Sequence, residues 1–170
     1  MNYDNNRQNA HNEIDRIFKV LFPTRNMAER PEQAALYHRM LDAMLEGGIA
    51  LCDAGTGIGK TYAYLVAGTV FSRFRAASGL DQQPILISTS SIALQNAVRD
   101  EYLPLLSSVL MEDGLTGQPI RAVIRKGKSH YVCDDRLERR LGQLDLRKDI
   151  PLSRKKYRKT VLSFPVSESV

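Results

Sequence analysis

Residues 51–61 read LCDAGTGIGKT. Glycine is dense in this stretch, and a Lys-Thr pair closes it. Glycine-rich backbone approaches a ligand closely and adopts angles closed to other residues. Successive N–H groups can then converge on phosphate oxygens, with the positive end of a following helix behind them. Lys60 supplies a cation for the β- and γ-phosphates, and Thr61 supplies a hydroxyl ligand for Mg²⁺. Ala54, Gly55, Thr56, Gly57, Ile58 and Gly59 form the cradle ahead of that pair. The strict phosphate-loop pattern has Gly where this chain has Ala54. The competing reading is a structural glycine turn beside a surface lysine.

A phosphate loop needs a strand before it and a helix after it. The run IALC at 49–52 reads as a short buried strand, and KTYAYLVAGTVFSRF as the helix packed on it. Upstream, Ile14, Ile17, Phe18 and Leu21 recur at helical spacing, predicting a helix over roughly 11–22. Pro31 suits the first turn of a second helix, which Gly47 and Gly48 end. Downstream, ILIS at 85–88 is a second strand candidate and SIALQNAVRDEYL a helix that Pro104 stops or kinks. IRAVIRK alternates weakly as a third strand, and YVCDDRLERRLGQL is helical in pattern. Strands alternating with helices imply an α/β fold with a mostly parallel sheet and flanking helices.

The 170 residues are 43% hydrophobic and 25% charged, a composition of ordinary globular proteins. No run approaches the roughly 18 apolar residues of a membrane span, and the polar start MNYDNNRQNA has no signal-peptide character. The two cysteines form no disulfide framework. These features predict a cytoplasmic protein with no membrane partner. The net charge is +5, but residues 121–160 hold fourteen Lys/Arg against five Asp/Glu, so the remainder is net negative. A basic end on a slightly acidic body points to a polyanion, nucleic acid first; a solvated basic tail is the bland alternative.

Four stretches together resemble the DinG/XPD-like branch of superfamily 2 DNA helicases. DAGTGIGKT is similar to the first helicase motif of that family, with Asp53 at its glutamate position and Ile58 for a threonine. ERPEQ resembles the adenine-sensing Q motif, ILISTSSIALQNAV resembles motif Ia, and RKGKSHYVC resembles the approach to the first cysteine of an iron–sulfur cluster. The resemblance covers residues 30 to 133. It implies a partial RecA-like P-loop NTPase domain over 1–148, followed by a basic and polar tail over 149–170. It also implies ATP and Mg²⁺ as ligands, with Gln33 on the adenine edge and Arg30 nearby. Thr89 and Gln95 would then sit near the DNA backbone, and Lys126 and Lys128 would flank single-stranded DNA. Hydroxyls and amides at such places fix register on phosphates without reading sequence. The competing readings are an exposed Gln33 on the second helix and ordinary helix capping across Ser88–Ser91.

The pattern departs from the family in three respects. Lys128 replaces an arginine and loses bidentate geometry. Cys133 matches the first cluster ligand, but a [4Fe–4S] cluster needs four thiolates, so this chain alone cannot hold one; Cys52 reads as a buried core thiol. The acidic motif that hydrolysis requires is missing, because RDEYL falls in a helical stretch and MEDG in a loop. The resemblance therefore implies ATP binding with poor hydrolysis, in a segment whose parent translocates on single-stranded DNA. The alternative is a helicase-derived binding protein or inhibitor. It would act through the basic segment on nucleic acid, or on a protein or nucleoprotein partner such as a defence or CRISPR complex. His11, His38 and His130 show no metal-ligand spacing along the chain. Tyr131 and Tyr157 stand among basic residues, either stacking bases or packing.

Overall fold

The computed structural model describes residues 3–81, 83–127 and 130–146; side chains are described from residue 5 to residue 143 within those ranges. Helix α1 spans Tyr3–Arg16 and runs on through a π turn, Ile17–Leu21, and a 3-10 turn, Phe22–Arg25. Helix α2 spans Pro31–Glu46, α3 Lys60–Ala77, α4 Ile92–Ala97, α5 Leu103–Glu112 and α6 Asp134–Leu146. A second π turn, Val98–Tyr102, joins α4 to α5. The described residues divide at Ile124/Arg125 into two units, the first holding α1 to α5 and the second α6.

Local chemistry explains the helix ends. Pro31 stands at N1 of α2, where its missing N–H costs nothing. Gly47 and Gly48 close α2 by donating to the carbonyls of Met44 and Ala43. Ser91 caps α4, its Oγ accepting from Leu94 N at 3.2 Å. Pro104 lies in the first turn of α5, directly after the π turn. A proline lacks the N–H that continues a regular ladder, so the register changes there and the helix goes on.

The core of the first unit is a helix-on-helix layer. Ile14, Ile17 and Phe18 from the first helical run meet Leu36, Tyr37 and Leu41 of α2. Ala63, Val66, Ala67 and Val70 of α3 join them, with Leu106 and Leu110 of α5. Phe18 stacks on Tyr37 with ring centroids 4.3 Å apart, and Tyr62 meets both Phe22 and Tyr102 edge-on. Such aromatic pairs stabilise by about 0.5–1.5 kcal/mol beyond the area they bury. Ion pairs of Arg73 with Glu13 at 2.6 Å and of Arg16 with Asp113 at 2.7 Å tie the outside of this layer.

The expected α/β fold with a mostly parallel sheet is overturned: among the described residues there is no strand. The runs read as strands, 49–52, 85–88 and 120–126, are neither helical nor paired. Ile49, Leu51, Leu86 and Val123 are 91%, 96%, 91% and 85% exposed. A strand is stable only when another strand satisfies its backbone N–H and C=O groups. An apolar run signals burial without stating what buries it. Here α1, α2, α3 and α5 bury one another, and the short apolar runs are left as connections. Cys52 follows the same logic; it is exposed, not a core thiol.

Candidate functional site

The glycine loop ends where α3 begins, with Lys60 at its first position and Gly59 at its N-cap. Gly57 and Gly59 have φ of +82° and +81°. A side chain at either position would be strained, so the loop's path depends on glycine. Lys60 lies partly inside the loop. Its Nζ donates to the carbonyl of Ala54 at 2.9 Å and to that of Gly55 at 2.5 Å. The ammonium is thus held by carbonyl dipoles of the loop that precedes it. Phosphate oxygens are stronger acceptors of the same charge-assisted bond, so an incoming polyphosphate could compete for this cation.

The structure brings two of the resemblance-derived residues to the loop. Gln33, read from sequence alone as a candidate surface residue, is buried at 7% exposure, and its Nε2 donates to the carbonyl of Gly59 at 3.0 Å. A methyl group on Gly59 would lie only 2.2 Å from that nitrogen. Arg30, exposed at the N-cap of α2, puts its Nη1 3.7 Å from where a methyl on Gly57 would sit. The first turn of α2 and the last turn of the loop are therefore interlocked through one amide. Thr61 is half-buried in the first turn of α3, and Ile58 and Ala54 pack against the core. Gly55 and Thr56 are exposed.

Thr89 and Gln95 make local contacts with each other. The Thr89 Oγ1 accepts from Ser91 N at 3.1 Å, and the Gln95 Nε2 donates to the Thr89 carbonyl at 3.3 Å. These contacts fix the turn into α4, with Ser91 as the capping residue. The Gln95 Oε1 is buried without a hydrogen-bond partner. In the second unit, Lys126 N donates to the Tyr131 hydroxyl at 3.1 Å, and Cys133 is exposed. Lys128, Tyr157 and the tail 149–170 lie outside the described residues.

The residues present fit a nucleotide phosphate: a loop with two positive-φ glycines, a lysine at its mouth and a helix N-terminus behind it. They do not fit a [4Fe–4S] cluster, which takes four thiolates where the chain has two cysteines, one in each unit. Among the described residues no group of three or more His, Cys, Asp or Glu converges to hold a metal ion, and no helix is long and apolar enough to cross a membrane.

Comparison with known proteins finds relatives that carry the names DinG and YoaA. The chain is 31% identical over 126 residues to the 3'-5' exonuclease DinG of Bacillus subtilis, covering 74% of this chain and 12% of that protein. It is 29% identical over 131 residues to the ATP-dependent DNA helicase DinG of Photobacterium profundum, covering 77% and 16%. It is 35% identical over 121 residues to the ATP-dependent DNA helicase YoaA of Escherichia coli, covering 71% and 15%. The chain thus spans 12–16% of the length of these relatives. No family profile matches it, and no solved structure does.

Proposed function

This chain is a DinG-like helicase segment over most of its length, and on that premise we propose that it binds the triphosphate of ATP, with Mg²⁺, on the loop Ala54–Thr61. The observation that carries the reading is the interlocked loop. Gly57 and Gly59 hold a positive-φ path that other residues would strain, Lys60 stands at the mouth, and the Gln33 amide is fixed against Gly59 by one hydrogen bond. On binding, the Lys60 ammonium exchanges the carbonyls of Ala54 and Gly55 for phosphate oxygens. Thr61 supplies a hydroxyl to the metal, which neutralises phosphate charge. Gln33, with Arg30 beside it, confers preference for adenine, since an amide can both donate to and accept from that edge. The names of the relatives, ATP-dependent DNA helicases among them, support this reading and extend it to DNA as the partner of the family. In that setting Thr89, Gln95, Lys126 and Lys128 serve the nucleic acid, and the parent activity is ATP-driven translocation on single-stranded DNA.

The test is binding of a fluorescent ATP analogue to the 170-residue chain, to Lys60→Ala and to Gln33→Ala. The expected result is saturable, Mg²⁺-dependent binding that Lys60→Ala abolishes, while Gln33→Ala narrows the preference for ATP over GTP. Equal binding by Lys60→Ala and the parent sinks the proposal. A second reading, a helicase-derived binding protein acting through residues 121–160, is favoured by the surplus of Lys/Arg there. It is distinguished by nucleic-acid binding that survives Lys60→Ala and disappears when those basic residues are neutralised.

A further inference from the structure

A second polar centre, unrelated to the glycine loop, lies where α1 crosses α2. His11 and His38 are 27 positions apart, and α1 and α2 bring their rings together, with Nδ1 atoms 3.1 Å apart and ring centroids at 5.2 Å. Each ring turns its other nitrogen to a carboxylate. His11 Nε2 is 3.1 Å from Asp42 Oδ1, and His38 Nε2 is 2.9 Å from Asp15 Oδ1. Those carboxylates are themselves fixed. Asp42 accepts from Arg7 at 3.0 Å, while Asp15 accepts from Tyr37 at 2.9 Å and pairs with Lys19 at 3.0 Å. Both rings are largely shielded, with side chains 21% and 32% exposed.

Counting protons shows what this arrangement lacks. Three contacts (Asp42 to His11, His11 to His38, His38 to Asp15) each require a hydrogen between their heavy atoms. Two neutral imidazoles carry only two N–H groups. Both carboxylate contacts claim those hydrogens, because a nitrogen lone pair set against an anionic oxygen repels more strongly than two neutral nitrogens facing each other. The two Nδ1 lone pairs are then left facing each other across 3.1 Å, a gap that only a cation makes favourable. The surrounding network favours one, since Asp15, Glu29, Asp42 and Glu46 outnumber Arg7 and Lys19 within it.

We propose that His11 and His38 form a two-imidazole site for a divalent transition-metal ion of the Zn²⁺ or Ni²⁺ kind, clamping α1 to α2. Imidazoles whose far nitrogen donates to a carboxylate are the arrangement in which a metal-binding ring has its tautomer and orientation set. Zn–N bonds of about 2.0–2.1 Å at a tetrahedral angle put two ligand nitrogens roughly 3.3 Å apart, so the rings need to part only slightly. Imidazole nitrogens select such borderline ions over Mg²⁺ or Ca²⁺, which take oxygen ligands. Water completes the coordination, because no third His, Cys, Asp or Glu converges there among the described residues. The competing occupant is a proton, which would make the pair an imidazole–imidazolium dyad.

The experiment titrates ZnCl₂ and, separately, NiCl₂ into the 170-residue chain carrying Cys52→Ser and Cys133→Ser, which removes competing thiolates. Calorimetry and thermal unfolding are the readouts. One equivalent is expected to bind and raise Tm, since an ion held only by the folded state stabilises it. His11→Asn and His38→Asn should each abolish that equivalent. Asp15→Asn and Asp42→Asn should keep the stoichiometry and weaken binding roughly 10- to 100-fold. Should a histidine variant fail to fold, Ni²⁺ added to the same cysteine-free chain must broaden the ring resonances of His11 and His38 before any others. Absence of saturable binding, binding undiminished in both histidine variants, or a shared Nδ1 proton that survives saturating Zn²⁺ overturns the proposal.

Discussion

Replacing Gly59 by alanine tests the interlock at the glycine loop. Two costs arise separately. At φ +81° a Cβ meets the backbone's own carbonyl, which costs roughly 1–2 kcal/mol. The new methyl would also fall 2.2 Å from Gln33 Nε2 and 2.9 Å from Gln33 Cδ, so the whole amide must move. Moving it breaks the bond to the Gly59 carbonyl and strands a buried amide, a further 1–3 kcal/mol or so. The sum, about 2–5 kcal/mol, is a large part of the 5–15 kcal/mol typical of a whole domain. Gly57→Ala is the control. Its φ is +82°, but the nearest atom, Arg30 Nη1, is at 3.7 Å, an ordinary contact, so only the backbone cost of roughly 1–2 kcal/mol applies. Urea unfolding of both variants, and of Gly59→Ala combined with Gln33→Ala, separates the terms. Without the Gln33 side chain the overlap disappears, so the double variant should be more stable than additivity predicts by about 1–3 kcal/mol. Equal destabilisation by Gly57→Ala and Gly59→Ala, or an additive cycle, would refute the interlock.

Two further substitution or labelling results follow from the same geometry. Gly68 is buried within α3, and a methyl there would meet Ile85 Cγ2 at 3.1 Å, but Ile85 is 40% exposed on an unpaired segment and can yield. Gly68→Ala should therefore keep most of the helix-propensity gain of about 1 kcal/mol and raise the urea midpoint, whereas a lowered midpoint would mean that Ile85 is held rigidly. Cys52 and Cys133 are both exposed, so an aromatic disulfide reagent should titrate both thiols of the native chain rapidly; a Cys52 that reacts only on unfolding would contradict the exposed run 49–52.

Much of the helical frame was legible along the chain, because its signals are local. Pro31 and the Gly47–Gly48 pair bound α2, and the apolar stripe through Leu36 and Leu41 reports a period that any reader of the sequence can count. The first helical run was harder. Its apolar positions begin at residue 14, yet α1 starts at Tyr3 on polar residues, which carry no periodicity. The glycine loop was equally plain, since its glycines and lysine are contiguous in the sequence.

What local pattern left open is what each segment packs against. The runs at 49–52 and 85–88 have the composition of buried strands, but a strand exists only through hydrogen bonds to another backbone, and no residue in the run encodes that partner. The burial of Gln33 against Gly59, across 26 positions, is likewise invisible until α2 and α3 pack. So is the meeting of His11 with His38. Short-range chemistry, the caps, the turns and the glycine freedom, was set by the sequence itself. Every contact whose energy depends on two distant segments arriving at one place was decided by the tertiary structure, because only there do the partner atoms exist.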